Sequence, residues 1–506
     1  MLKLHYLKPL VSLTLVFFFL LFVLKFTFAY QTWTSPANIS NLPYNSAVPR
    51  VAVDQFGGVH AVWVEAPDPV YLEAGYLYYS YKAPSGSWST PERIAEATAY
   101  PDIAVDSQGI THLVWVDGPA HNLSYSSKPL NGVWSIPLVL SQPGGCCNIP
   151  SITVDRQDSL HLAWSSDTVG MGDIFYIFKP AAGTWSEMIN ISNTDNPSGF
   201  MSLTTDASGN IYAVWQELIS LDNWDIFFNK KIPGGNWDSP TNISNTPSGS
   251  LNPIHWPVRL SGDPQGNLHI VWREEFYDAS GATNYGIYYM SKTSLGWTQA
   301  QRLSIGVYPD VAVDQTGTAH VIWSGSAGNQ VIFYTSKPLD SSSFSGPISV
   351  SPIPADSFYS AITTDSENIH ILFMNNGAGY YNGEIYYTTA RIPYKVTWLP
   401  PLSTQEIYTM HDGATLPVKF NLINPDGSQA TDANVMVVIT EDATGTQWSS
   451  ETAVYDPALP GYSVKVSTQG WPLGEYTISL VGDRLVHDAT YGLNLVEAGK
   501  GKGKEK

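Results

Sequence analysis

The chain has 506 residues, of which 13% are aromatic and only 14% charged, and it carries a net charge of −19. That balance excludes a nucleic-acid partner, which needs a basic footprint, and the length leaves room for a large domain and a smaller one. Cys146 and Cys147 are adjacent and are the only cysteines, so they cannot staple distant parts of the chain, and they lack the ligand spacing of a metal site. They are expected either to stay free or to form a strained vicinal disulfide. No cofactor and no metal are expected.

Residues 1–29 read as a secretory signal. Met1 to Lys8 is basic, Pro9 to Leu24 is almost wholly apolar, and Thr27-Phe28-Ala29 offers small residues for cleavage. The alternative is an uncleaved N-terminal anchor, the only membrane attachment the sequence offers. Either reading places the rest of the chain outside the cell, secreted or at the surface.

From Trp33 onward one unit recurs seven times. An apolar run ends in Asp54, Asp106, Asp155, Asp206, Asp263, Asp314 and Asp365, spaced by 52, 49, 51, 57, 51 and 51 residues. A second run ends in Trp63, Trp115, Trp164, Trp215, Trp272, Trp323 and Phe373, keeping the same period. Four short strands per unit at this period predict an all-β, seven-bladed propeller. Fourth strands follow Trp88, Trp134, Trp185, Trp237, Trp297 and Phe344, which makes six. The seventh stands before the first repeat, where Trp33-Thr34-Ser35-Pro36-Ala37-Asn38-Ile39-Ser40 nearly repeats Trp237 to Ser244. The N-terminal strand is therefore expected to complete the last blade and close the ring.

The propeller is read as 30–394 and a proline-stiffened linker as 395–402. Short alternating strands over 403–497, among them Leu416–Leu422, Ala433–Ile439 and Gly474–Leu480, predict a small β-sandwich. The tail 498–506 is glycine and charge, a composition of disorder.

Features repeated in most blades are read as structural. The aspartates head Asp-x-x-Gly turns, where a carboxylate accepts turn amides and glycine takes a positive φ. His60, His112, His161, His269, His320 and His370 share one position, which Tyr212 fills in the fourth blade. That exchange points to packing with one hydrogen bond rather than to a metal ring. The Asn-x-Ser sequences at Asn38, Asn122, Asn190 and Asn242 are part of the repeat's own wording, so they are read as structural before they are read as glycosylation sites.

Function is sought where the blades differ. Four residues before each repeat aspartate stand Arg50, Asp102, Ser151, Ser202, Arg259, Asp310 and Ala361. Two residues after each second-strand aromatic stand Glu65, Asp117, Ser166, Glu217, Glu274, Gly325 and Asn375. Both positions are expected on the variable rim, ringing the channel mouth with carboxylates and arginines, with Arg273 beside them. Arg50, Arg259, Arg273, Glu65 and Asp117 are the candidate ligand-binding residues. Tyr71, Trp224, Tyr277, Tyr285, Tyr380 and Tyr381 offer aromatic faces nearby. Aromatics over a pyranose face, with polar groups on its hydroxyls, suit sugar recognition. Hydrolysis would need two carboxyl groups about 5 to 10 Å apart, for which Glu217, Glu274, Asp102 and Asp310 are the candidates.

The repeat, Asp-x-x-Gly-x-x-His-x-x-Trp followed by Tyr-Tyr and Gly-x-Trp-Ser, resembles the BNR-repeat, sialidase-like propellers over about Trp33 to Tyr394. That superfamily holds both enzymes and binders. Its sialidases hold a substrate carboxylate on three arginines, a pattern for which Arg50, Arg259 and Arg273 are the matching candidates; the Ser-x-Asp of the family's Asp-box is missing here. Pro417-Val418-Lys419-Phe420, Asp432-Ala433-Asn434-Val435 and Gly474-Glu475-Tyr476-Thr477 resemble the PxKF-type Ig-like modules that accompany secreted microbial proteins. The expectation is a secreted or surface binding module for an extracellular glycan or protein. The alternatives are an exo-sialidase-like glycoside hydrolase and a structural component of a surface layer or adhesion complex.

Overall fold

The computed structural model describes residues 33–497, apart from 68–74, 98, 118–120, 142–146, 167–171, 221–222, 246–256, 278–280, 282, 340, 352–354, 378–381, 405–406, 459–460, 483 and 486–488. The expected signal segment, Cys146 and the tail therefore lie outside the described residues. The chain divides into two compact units. The first spans Trp33–Ile392, and the second holds Pro393–Asn424 and the residues from Gln429 on.

The first unit is seven antiparallel sheets, each a blade. Blade one is Asn45–Val53, Val59–Ala66, Gly75–Lys82 and Glu92–Ala97, in that spatial order, and blades two to six repeat it. Blade seven takes Ser357–Thr364, Asn368–Asn375 and Glu384–Arg391 from the end of the repeat and Ala37–Asn38 from its beginning. Ala37 pairs with Tyr387 and Asn38 with Tyr386, so the ring is closed by the N-terminal strand as the repeat count requires.

The second strands explain the stacking. Val62 and Val64 face blade two, packing with Leu113 and Trp115. Ala61 and Trp63 face blade seven, packing with Leu372 and Met374. Successive side chains point to opposite faces, and both faces are covered, so these strands read as unbroken apolar runs rather than as alternation. An apolar core lies at each of the seven blade-to-blade contacts. Each is finished by an edge-to-face aromatic contact between a third strand and the next blade's fourth-strand tryptophan. Examples are Tyr79 with Trp134 at 5.1 Å and Tyr176 with Trp237 at 5.0 Å between ring centres. Phe344 takes the tryptophan's place against Tyr289 at 4.8 Å. Trp33 meets Tyr334 at 5.0 Å, and Trp88 meets Tyr387 at 5.1 Å, so the closing strand is locked like the others.

The repeated polar residues are structural. Asp314 Oδ1 accepts the amides of Thr316 and Thr318, and its Oδ2 meets His320 Nε2 at 3.0 Å, while His320 Nδ1 meets the Tyr334 hydroxyl at 2.8 Å. The same aspartate–histidine–tyrosine chain recurs in blades one, two, three and seven, while in blade five His269 meets the Tyr289 hydroxyl at 2.7 Å and its Nε2 stands 3.8 Å from Asp263. In blade four Tyr212 reaches Asp206 directly at 2.8 Å, which is why tyrosine substitutes for histidine there. The turn glycines Gly57, Gly109, Gly209, Gly266 and Gly317 all have φ between 77° and 83°. The Asn-Ile-Ser wording is a capped turn: Asn190 Oδ1 accepts the amide of Asn193, and Ser192 Oγ accepts that of Ile174.

In the second unit eight strands follow one hydrogen-bonded path around a core that includes Leu416, Val418, Phe420, Val437, Ile439, Tyr462, Tyr476 and Leu493. The alternation seen in the sequence appears as inward Leu416, Val418, Phe420 and Leu422 between half-buried neighbours. One expectation is corrected. Lys395–Trp398, read as linker because of the prolines after it, is a strand paired with Phe420–Ile423, and Trp398 packs edge-on against Phe420 at 5.9 Å.

Candidate functional site

The first strands of neighbouring blades touch around the axis and so line its wall. The position four before each repeat aspartate sits on that wall rather than on the rim. Arg50 is 7% exposed and Arg259 is 9% exposed. Arg50 Nε stands 3.9 Å from Asp102, and Arg259 Nε 3.8 Å from Asp310. Three of the acidic or hydroxyl side chains here also tie their blade to the next. Asp102 accepts the amide of Ile152, Ser151 that of Leu203, and Asp310 that of Ile362. Burial outweighs the pull of Arg50 on both aspartates and pushes each up to about 6, and the charge of Asp310 adds to the upward push on Asp102. The expected rim of arginines and aspartates is thus a charge lattice inside the ring. The sequence showed the repeat position but not how far the strand runs beyond it.

That distance is set by a bulge. In six blades the pairing of strands one and two shifts register just ahead of this position, as between Ala47 and Arg50 or between Gly199 and Ser202. The bulge carries two further residues, and the strand continues for one to three more beyond it.

The second expected rim position divides. A side chain two residues along a strand returns to the same face, and this brings Glu217 Oε2 to 3.1 Å and Glu274 Oε2 to 3.0 Å from the indole Nε1 of their own Trp215 and Trp272. Both accept an indole hydrogen bond. Burial pushes Glu274 above the usual carboxylate range. Glu65 is 1% exposed and accepts the amide of Tyr44, and burial raises it too. Asp117 closes its own turn by accepting the amide of Asn122. Arg273 remains on the variable side, its guanidinium 4.7 Å from the Tyr285 ring centre and within the field of Tyr308. Of the other aromatics named from sequence, Trp224 and Tyr285 are placed, while Tyr71, Tyr380 and Tyr381 lie outside the described residues.

The residues that do form the mouth were not singled out by sequence reasoning. They stand six before each repeat aspartate, inside the bulges: Val48, Tyr100, Ile149, Phe200, Tyr308 and Tyr359, with Pro257 in blade five. All but the proline have positive φ, between 44° and 57°. A bulky or β-branched residue in that region is strained, and such strain persists only where the surroundings impose it. Here the bulge turns six large side chains toward the axis. On one side they pack shut: Tyr308 and Tyr359 lie 4.5 Å apart, in one apolar cluster with Val48 and Tyr100. On the other side, over blades two to four, they leave a cavity of about 310 Å³ walled by Tyr100, Ile149, Phe200 and Trp224. Phe200 meets Trp224 edge-on at 6.4 Å. Ser165, Ser166 and Ser198 stand in the same wall, and Gly172, Pro197 and Gly199 complete it. The available signal was a bulky apolar residue at a fixed place in a stretch that reads as loop.

No protein-family model matches the chain, and no curated protein matches it in sequence. Among solved structures it is similar to an ulvan lyase, of a new polysaccharide-lyase family, bound to -[GlcA(1-4)Rha3S]-, at 12% identity and a TM-score of 0.50, covering 71% of this chain and 94% of that one. It is also similar to an α-L-arabinanase of Penicillium chrysogenum complexed with arabinobiose, at 14% identity, covering 71% and 98%, with a TM-score of 0.41. A third is a subtype N10 neuraminidase-like protein of A/little yellow-shouldered bat, at 12% identity, covering 72% and 99%, with a TM-score of 0.41. At such identities the likeness to the ulvan lyase shows the fold alone, a β-propeller, whose seven blades are those described above.

Proposed function

We propose that the chain is an exported glycan-binding propeller whose ligand enters the variable face between blades two and four. One observation carries this reading: an aromatic-walled cavity of about 310 Å³ with three serines in its wall, at the mouth over blades two to four. Aromatic faces cover the apolar side of a sugar ring, and hydroxyls pair with its hydroxyl groups. An ulvan lyase of similar fold binds a saccharide, which supports a glycan ligand in general; the acidic character of that saccharide is not carried over.

The carboxylates weighed as catalytic groups are otherwise engaged. Glu217 and Glu274 hold indoles, Asp102 and Asp310 lie beside arginines, and none of the four is among the described residues that wall the cavity. Binding without cleavage is therefore the reading the site favours. A broad glycan array, followed by mass analysis of each bound spot, tests it. Retained, intact glycans are expected. Loss of a terminal sugar would replace binding by hydrolysis, and a blank array would reject the glycan reading.

A further inference from the structure

Building on the glycan reading, we infer that the blade two-to-four cavity takes an uncharged hexopyranose unit and rejects sialic acids and uronates. The described lining is aromatic, aliphatic and hydroxylic, with no charged side chain. The described residues next to that lining in the chain bring no cation either: 147–149, 165–166, 172–173, 197–200, 219–220 and 223–225 contain no lysine or arginine. A sugar carboxylate entering this wall would lose water and find no positive partner, which is costly. The arginines that could have supplied one are spent elsewhere. Arg50 and Arg259 are buried beside Asp102 and Asp310, and Arg273 lies on blade five over Tyr285.

The polar groups that are present suit hydroxyls. Ser198 Oγ donates to the buried Glu217 Oε2 at 3.4 Å, which turns its lone pairs away from that carboxylate and leaves them to accept from a sugar O–H. Glu217 is also anchored by the Trp215 indole, so it acts as a positioning residue for Ser198 and touches no ligand itself. Trp224 and Phe200, set edge to face, offer one ring face and one ring edge, the arrangement that holds a flat pyranose against one wall.

Gly199 gives a clean way to fill the cavity. A Cβ built there meets nothing within 4 Å, and Gly199 lies outside the left-handed region, so a side chain enters the open space without strain. The test is calorimetric titration of the full chain with cellohexaose, maltohexaose, mannohexaose and galactohexaose against hexagalacturonate and sialyllactose. Salt of about 0.5 M screens the general repulsion from the chain's net charge of −19.

At least one neutral hexaose should bind. Both Trp224→Ala and Gly199→Phe should weaken it by about tenfold or more, and Arg273→Ala should leave it unchanged. The thermal transition of each variant is measured alongside, and Gly199→Phe keeps the test valid if Trp224→Ala unfolds. An acidic saccharide that binds and depends on Arg273 would overturn the neutral class while leaving a glycan-binding propeller. Neutral binding that survives Gly199→Phe would overturn this cavity as its seat. Binding of no saccharide at all would overturn the glycan reading itself.

Discussion

Replacing Trp33 by alanine tests whether the N-terminal strand is a working part of the seventh blade. Trp33 lies 5.0 Å from the Tyr334 ring of blade six and packs on the core shared by blades six and seven. Its counterpart Trp88 stands the same way, 5.1 Å from Tyr387. Both are half-buried, so truncating either should cost about 3 kcal/mol, the lower end of what a core tryptophan costs. With about 2.1 cal/mol/K of unfolding entropy per residue over a propeller of this size, that is a fall of about 4 °C in Tm. The assay is calorimetry of Trp33→Ala and Trp88→Ala under one buffer. Equal losses are expected, because seven-fold closure makes the two sites equivalent. A fall for Trp88→Ala with none for Trp33→Ala would mean that the closing strand is only loosely held, and would refute the reasoning.

Other predictions concern the polar interior. His320→Phe leaves the Asp314 carboxylate and the Tyr334 hydroxyl without their shared partner; it should lower stability by about 2 to 4 kcal/mol in denaturant titrations and leave ligand affinity unchanged. Asp102 and Asp310 are held up at about 6 against an ordinary 3.8. For an acid whose pKa rises on folding, the stabilising effect is complete below pH 4 and is lost as pH rises through 6. Each should contribute about 2 kcal/mol of that slope, given that 17% and 14% of the two side chains remain exposed. The Asp102→Asn, Asp310→Asn double variant should lose less stability across that window than the unaltered chain, the remaining slope coming from other buried acids such as Glu65 and Glu274. Asp365 is held down at about 2, chiefly by its bonds to His370 and the turn amides working against burial. Its contribution is therefore present above pH 4 and disappears as pH falls toward 2, and Asp365→Asn should remove that acid-side loss. Glu274→Gln keeps an acceptor for the Trp272 indole and should be nearly neutral, whereas Glu274→Ala should cost about 1 to 3 kcal/mol; retained array binding in both would separate Glu274 from the ligand.

The propeller, its blade count and its closure are legible in the sequence because they rest on repetition. Two marks per unit keep one period, and the count of fourth strands is one short until Trp33 is included. The histidines were readable for the same reason, since Tyr212 in their place left only a hydrogen bond to explain them. The candidate site was hard to read because it depends on register. Arg50 and Arg259 look like rim residues if strand one begins near them. In six blades a two-residue bulge and one to three further strand residues move the rim outward, and the burial of Arg50 and Arg259 places both arginines on the inner wall. Glu217 and Glu274 look free in the sequence because the indole two residues back is not evident until the strand's period puts both on one face. Lys395–Trp398 was hidden by the prolines that follow it.

The central claim, that the mouth cavity over blades two to four is where a glycan binds, is tested most directly by a crystal structure of the chain with the best-bound neutral saccharide. A sugar ring lying against Trp224 and Phe200, with hydroxyls on Ser165, Ser166 or Ser198, is the predicted result. A saccharide seated instead at Arg273, or on the second unit, would contradict it.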